Sequence, residues 1–169
     1  MKPTPDFDVN NAPDYVKPYI TASDKTGPAE LLLEGSWCGH GEPLFRIYDV
    51  TEDDNNIFKI FLPNDDLGFD ERMTNSVKLM SIKSGRSFFI YDAGKHPASF
   101  YHVTERGKND PPEHWKQFIC NCDGEIFKCS IGFEIPGDSS QPNDTSWFAL
   151  AAECPDCKRK GIVYDNETA

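Results

Sequence analysis

At 169 residues with 38% apolar side chains, the chain is long enough to bury a core of its own, and small size alone does not call for a covalent or metal staple. A formal charge of −11 argues against a nucleic-acid backbone as the main partner, because such binding is driven by clustered Lys and Arg. The start, MKPTPDFDVNNAPDYVKPY, has no basic region leading into an apolar run, and no later stretch approaches the roughly 18 apolar residues of a membrane span, so a soluble cytoplasmic chain with reduced thiols is expected.

Residues 1–28 hold five of the thirteen prolines (Pro3, Pro5, Pro13, Pro18 and Pro28) with no sustained period, which predicts an extended arm. From Ala29 the texture changes to short apolar runs separated by turn residues: AELLLEG, PLFRIYDV, NIFKIFLP, SVKLMSI, RSFFIYD and ASFYHVT. Most are rich in β-branched and aromatic residues and are spaced as antiparallel strands. Ser84-Gly85 predicts a tight hairpin turn between two of them. Asp65 to Thr74 predicts a helical turn, and Asp110-Pro111-Pro112-Glu113 reads as a cap with proline at the first helical position. From Lys116 onward the expected order is strand (KQFICN), hairpin, strand (EIFKCSIGFEI), an irregular polar loop over 136–144, strand (SWFALAAE), a knuckle and a last short strand (GIVYD). The fold expected is therefore mainly β: an antiparallel region over 29–110 and a cysteine-bearing region over 111–169, either separate or continuous with it.

The negative charge is unevenly placed. Residues 1–75 carry 15 acidic and 6 basic side chains, against 13 and 11 in residues 76–169. Asp53-Asp54 and Asp65-Asp66 bracket the apolar run Ile57 to Leu62, so they read either as solvated loops at the ends of one strand or as a docking face for a basic protein partner.

Cys120 and Cys122 stand two apart and Cys154 and Cys157 three apart, with about thirty residues between the pairs. In an extended strand, residues i and i+2 sit about 6.6 Å apart along the chain. Sulfurs sharing one zinc at about 2.3 Å must lie closer, so the backbone has to bend at each pair. Asp123-Gly124 supplies a turn after the first pair, and Pro155 presets one inside the second. Two knuckles on strand ends can then close on one tetrahedral ion, and a four-thiolate shell leaves no open position for water. Cys129 and His114 stay open as substitutes for one ligand, although Cys129 lies mid-strand, where a small packed side chain is the default.

The pattern C-P-x-C at Cys154 to Cys157, after a strand carrying Trp147-Phe148, resembles the second knuckle of zinc ribbons. The arrangement C-x-C, G-F-E, W-F, C-P-x-C, G-I-V-Y over Phe118 to Tyr164 is similar to small uncharacterised bacterial proteins with a zinc-ribbon-like C-terminal half. The tight first pair departs from the usual C-x-x-C, and the first two thirds of the chain stay outside the resemblance. It implies zinc as a structural cofactor and no catalytic residues. The acidic composition also resembles that of immunity proteins that neutralise basic toxin domains, which implies a non-enzymatic interaction protein.

The alternative is a zinc- or thiol-dependent enzyme. Type B methionine sulfoxide reductases pair a zinc site with a separate catalytic cysteine, a part open to Cys38 or Cys129. Cys38 lies near His40 in the glycine-rich stretch Gly35 to Gly41, which lacks the strand-to-helix context of a nucleophile elbow. A redox C-x-x-C needs a helix after it to lower its thiol pKa, and nothing after Cys157 reads as helical. His96 and His102 are expected in structural positions.

Overall fold

The computed structural model describes residues 5–34, 44–63, 76–92, 115–135 and 147–167. Among them the chain forms mainly antiparallel β-structure, a single sheet curled into a half-barrel, with nine strands and one short helix. The strands are β1 (Ile20–Ala22), β2 (Leu44–Val50), β3 (Ile57–Pro63), β4 (Ser76–Ser81), β5 (Ser87–Asp92), β6 (Trp115–Gln117), β7 (Phe127–Ile135), β8 (Trp147–Glu153) and β9 (Lys160–Glu167). No helix among the described residues is long and apolar enough to cross a membrane.

Strand β7 is the hub. One edge pairs with β8 from Lys128↔Glu153 to Glu134↔Trp147. The opposite edge is shared, by β3 at its start (Phe58↔Phe127) and by β2 farther along (Asp49↔Ser130 to Leu44↔Ile135). Side-chain alternation explains why both faces are covered. Phe127, Cys129, Ile131 and Phe133 point into the main core together with Phe148, Leu150 and Ala152 of β8. The curl brings β5 over the same core, where the Tyr91 ring stacks on Phe148 at 4.4 Å between centroids. Strand β9 continues the sheet beyond β8 and carries a bulge at Val163, since Leu150 pairs with Tyr164 but Ala151 with Ile162.

The run AELLLEG departs from the expected strand and forms the helix α1 (Ala29–Glu34). Its alanine, leucines and glutamates all favour helix and none is β-branched, while Pro28 supplies a preset first turn. The helix buries Ala29 and Leu32 against Ile47, Ala149 and Ala151 on the outer face of the sheet. It lies over Gly132, where a Cβ would sit 3.5 Å from the Leu32 Cδ1. Residues 5–22 lie across the sheet, with two 3-10 turns (Val9–Asn11 and Lys17–Tyr19) leading into β1. Ala12, Val16 and Ile20 enter the main core, and the Tyr48 hydroxyl donates to the Asp8 carbonyl at 3.1 Å.

Ser84-Gly85 does turn the β4–β5 hairpin. The Gly85 amide donates to the Ser81 carbonyl at 2.9 Å, and Gly85 holds the left-handed φ of 72°. The expected strand KQFICN is strand only as far as Gln117, with one further bond from the Phe118 amide to β3 before the chain bends into the first knuckle. ASFYHVT, the turn over 65–74, the cap at 110–113 and the polar loop over 136–144 lie outside the described residues.

Candidate metal centre

Both cysteine knuckles are anchored on the hub. The first hangs from Phe118, whose amide donates to the Ile60 carbonyl of β3 at 2.8 Å and whose ring packs on Phe127 of β7 at 5.0 Å. Beyond it the chain reverses. The Asp123 amide donates to the Cys120 carbonyl at 2.8 Å, and the Cys120 amide to the Gly124 carbonyl at 2.9 Å. The second knuckle repeats this closure at the end of β8. The Lys158 amide donates to the Cys154 carbonyl and the Cys154 amide to the Arg159 carbonyl, both at 2.9 Å. Each turn is completed by one residue in the left-handed region, Asp123 (φ 71°) and Lys158 (φ 63°).

The sulfurs converge. Cys120 Sγ lies 3.5 Å from Cys157 Sγ, and Cys122 Sγ lies 3.6 Å from Cys154 Sγ. All four fall within 4.8 Å of one another. A tetrahedral ion with metal–sulfur bonds of about 2.3 Å requires sulfur–sulfur edges of about 3.8 Å, so the cluster needs only small rotamer adjustments to close on one ion. The pairs are not disulfides, whose sulfurs sit at about 2.05 Å.

Gly124 gives an independent indication that this space is kept for sulfur. A Cβ there would stand 2.9 Å from Cys154 Sγ and 3.4 Å from Cys122 Sγ. The sequence suggested a turn role for this glycine, but Asp123 carries the turn conformation and Gly124 leaves room for the thiolates. A C-D-G string announces a turn, and nothing in it announces a contact with a cysteine thirty residues away.

The electrostatics push the two thiols of the first knuckle in opposite directions. The Cys122 amide donates toward the Cys120 sulfur and is the largest influence lowering its thiol to about 7, with the neighbouring thiols adding to the effect. Cys122 goes the other way. The Gly124 amide favours its thiolate, but its sulfur neighbours Cys154, Cys120 and Cys157 outweigh that and push it up to about 12. A divalent ion held among the sulfurs would favour the thiolate form and offset their mutual repulsion. The exposed Lys158, Arg159 and Lys160 follow Cys157 directly along the chain. Lys160 also binds Glu30 of α1 at 2.9 Å, tying the helix to the end of β9 next to the second knuckle.

Cys129 is not part of the cluster. It is fully buried in the main core with its sulfur 3.8 Å from the Phe127 carbonyl, and burial pushes its thiol up. His114, Cys38, His40, His96 and His102 lie outside the described residues, as do Asp65 and Asp66. Asp53 and Asp54 are exposed at the β2–β3 turn. Asp53 is engaged by the Arg86 guanidinium at 2.9 Å, which also reaches the buried Glu52 at 3.4 Å. The chain matches no protein-family model, no curated protein and no solved structure.

Proposed function

We propose that Cys120, Cys122, Cys154 and Cys157 hold a structural zinc ion, and that the chain is a zinc-stabilised interaction protein with no catalytic role for the metal. The observation that carries this reading is the convergence of four sulfurs from two knuckles within 4.8 Å, a complete shell of soft ligands. Zinc would be held by these four side chains alone, and its contribution would be folding free energy, on the order of 10 kcal/mol for structural sites. The buried, proton-retaining Cys129 is unsuited to be the second cysteine of a sulfoxide reductase.

The partner side of the reading rests on the net charge of −11 and the exposed β2–β3 turn, and the kind of partner it suits is a basic protein. Arg86 offsets Asp53, so Asp54 is the freer carboxylate of that pair. The test of the metal is elemental analysis with a thiol count before and after chelation. One zinc per chain protecting four thiols supports the site, and a metal-free folded chain refutes it. The partner reading predicts capture of a basic protein with an association rate that falls as salt rises. Unchanged capture by a variant with Asp53, Asp54, Asp65 and Asp66 all changed to Asn would reduce these carboxylates to a solvated surface.

A further inference from the structure

The two shortest sulfur contacts share a pattern that metal binding alone does not require. Each crosses from one knuckle to the other, and each joins an exposed sulfur to a more covered one. Exposed Cys157 faces half-buried Cys120 at 3.5 Å, and exposed Cys122 faces buried Cys154 at 3.6 Å. We propose that the centre is a site of oxidative modification by hydroperoxides, which close Cys122–Cys154 and Cys120–Cys157 disulfides and expel the metal. The inference rests on the zinc reading for the metal that leaves, and on the chain's own geometry for the pairing.

Metal-bound thiolates are already deprotonated, so exposure decides which sulfur meets an oxidant first. That selects Cys122 and Cys157. In each, the thiolate attacks one peroxide oxygen, the O–O bond breaks, and the sulfur becomes a sulfenic acid while the departing hydroxide or alkoxide takes up a proton. The facing thiolate of Cys154 or Cys120 then attacks the sulfenic sulfur. An S–S bond forms, the S–O bond breaks, and hydroxide leaves and is protonated to water. Each disulfide consumes one peroxide: two thiolates are oxidised by two electrons and the peroxide is reduced by two. Two such events remove all four ligands and free the divalent cation.

Each sulfur pair has to close by about 1.5 Å to reach disulfide length. Two links between the knuckles then hold together what the metal held, so the oxidised chain keeps its knuckles joined without the ion. Cys129, enclosed by the core, remains a thiol and serves as an internal reference.

Tryptic cleavage reads the pairing directly. Cuts after Lys116, Lys128 and Lys158 place Cys120 and Cys122 on the peptide 117–128, and Cys129, Cys154 and Cys157 on the peptide 129–158. The zinc-loaded full chain is treated with hydrogen peroxide, zinc is followed with a chromophoric chelator, and the unreduced digest is analysed by mass spectrometry. The expected result is release of the full metal equivalent and a single cross-linked species joining the two peptides. Fragmentation should assign Cys120–Cys157 and Cys122–Cys154, and dithiothreitol should separate the peptides. The proposal is overturned if the thiols stay unreacted with zinc retained. It is also overturned if the two peptides come apart carrying internal disulfides or sulfinic acids, or if fragmentation gives the opposite cross-pairing. A chain that binds no zinc sinks the metal reading alone, and the same digest of the reduced, metal-free chain treated with peroxide then decides the pairing.

Discussion

Replacing Gly124 with alanine tests whether the knuckles are shaped around sulfur. The added Cβ would lie 2.9 Å from Cys154 Sγ and 3.4 Å from Cys122 Sγ, whereas favourable non-bonded contacts between carbon-sized atoms begin near about 3.5 Å. Gly124 does not use the left-handed region, so backbone conformation is not the obstacle and the whole effect comes from crowding. The Cys154 sulfur must move outward by several tenths of an ångström, and it cannot do so while keeping its place around a tetrahedral ion. Overpacking of this kind costs about 1–3 kcal/mol, which at about 1.4 kcal/mol per decade is a loss of roughly ten- to a hundredfold in zinc affinity. Gly161 at the start of β9 is the matched control, because a Cβ there meets nothing within 4 Å. Competition for zinc against a chromophoric chelator measures both variants. Gly124→Ala should bind more weakly by that factor, with Gly161→Ala at the wild-type value. Wild-type affinity in Gly124→Ala would refute the reasoning, since four sulfurs that tolerate a methyl group among them are not packed around an ion.

Cys122→Ser should lose the metal and most of the folded protein, whereas Cys129→Ala should keep full metal content at a cost of about 1 kcal/mol in denaturant titration; the reverse outcome would put Cys129 in the ligand shell. In the metal-free chain at pH 7.5, iodoacetamide should label Cys120 well before the more exposed Cys122, because the Cys120 thiol is lowered to about 7 and the Cys122 thiol raised to about 12. The depressed Cys120 value contributes stability present above the ordinary thiol value of 9.0 and lost as pH falls through about 7, whereas the Cys122 contribution is present below 9.0 and lost as pH rises towards about 12. Equal labelling of the two would show that the Cys122 amide and the neighbouring sulfurs do not divide the charge between them in this way.

Strand existence was legible wherever a run was dominated by aromatic and β-branched residues, as in NIFKIFLP and RSFFIYD. AELLLEG was misread because its length fits a strand, and only its lack of β-branched residues argued for helix. The pairing order was not legible. That β7 shares one edge between β2 and β3 depends on contacts far apart in sequence, such as Asp49↔Ser130 and Phe58↔Phe127, and no local pattern encodes them. The four-cysteine cluster was legible because two short cysteine spacings must each make a knuckle. The space kept by Gly124 and the facing of exposed against covered sulfurs were not, because both arise between the knuckles, where sequence separation hides them.

The position of Cys154 decides how far metal loss should spread. Strand β8 presents Phe148, Leu150 and Ala152 to the main core at every second residue, and Cys154 is the next position in that row, itself buried there. Its sulfur thus continues the hydrophobic row. The first knuckle is fixed to the same core through Phe118 on Phe127 and the Phe118 amide on Ile60. A centre attached only by flexible loops would fray alone when the ion is removed, whereas one continuous with β7 and β8 should weaken the sheet as a unit. Chelation is therefore expected to lower the melting temperature of the whole chain, with far-UV circular dichroism and tryptophan fluorescence moving together. Loss of zinc with the main transition unmoved would show instead that the knuckles fold and unfold independently of the hub that carries them.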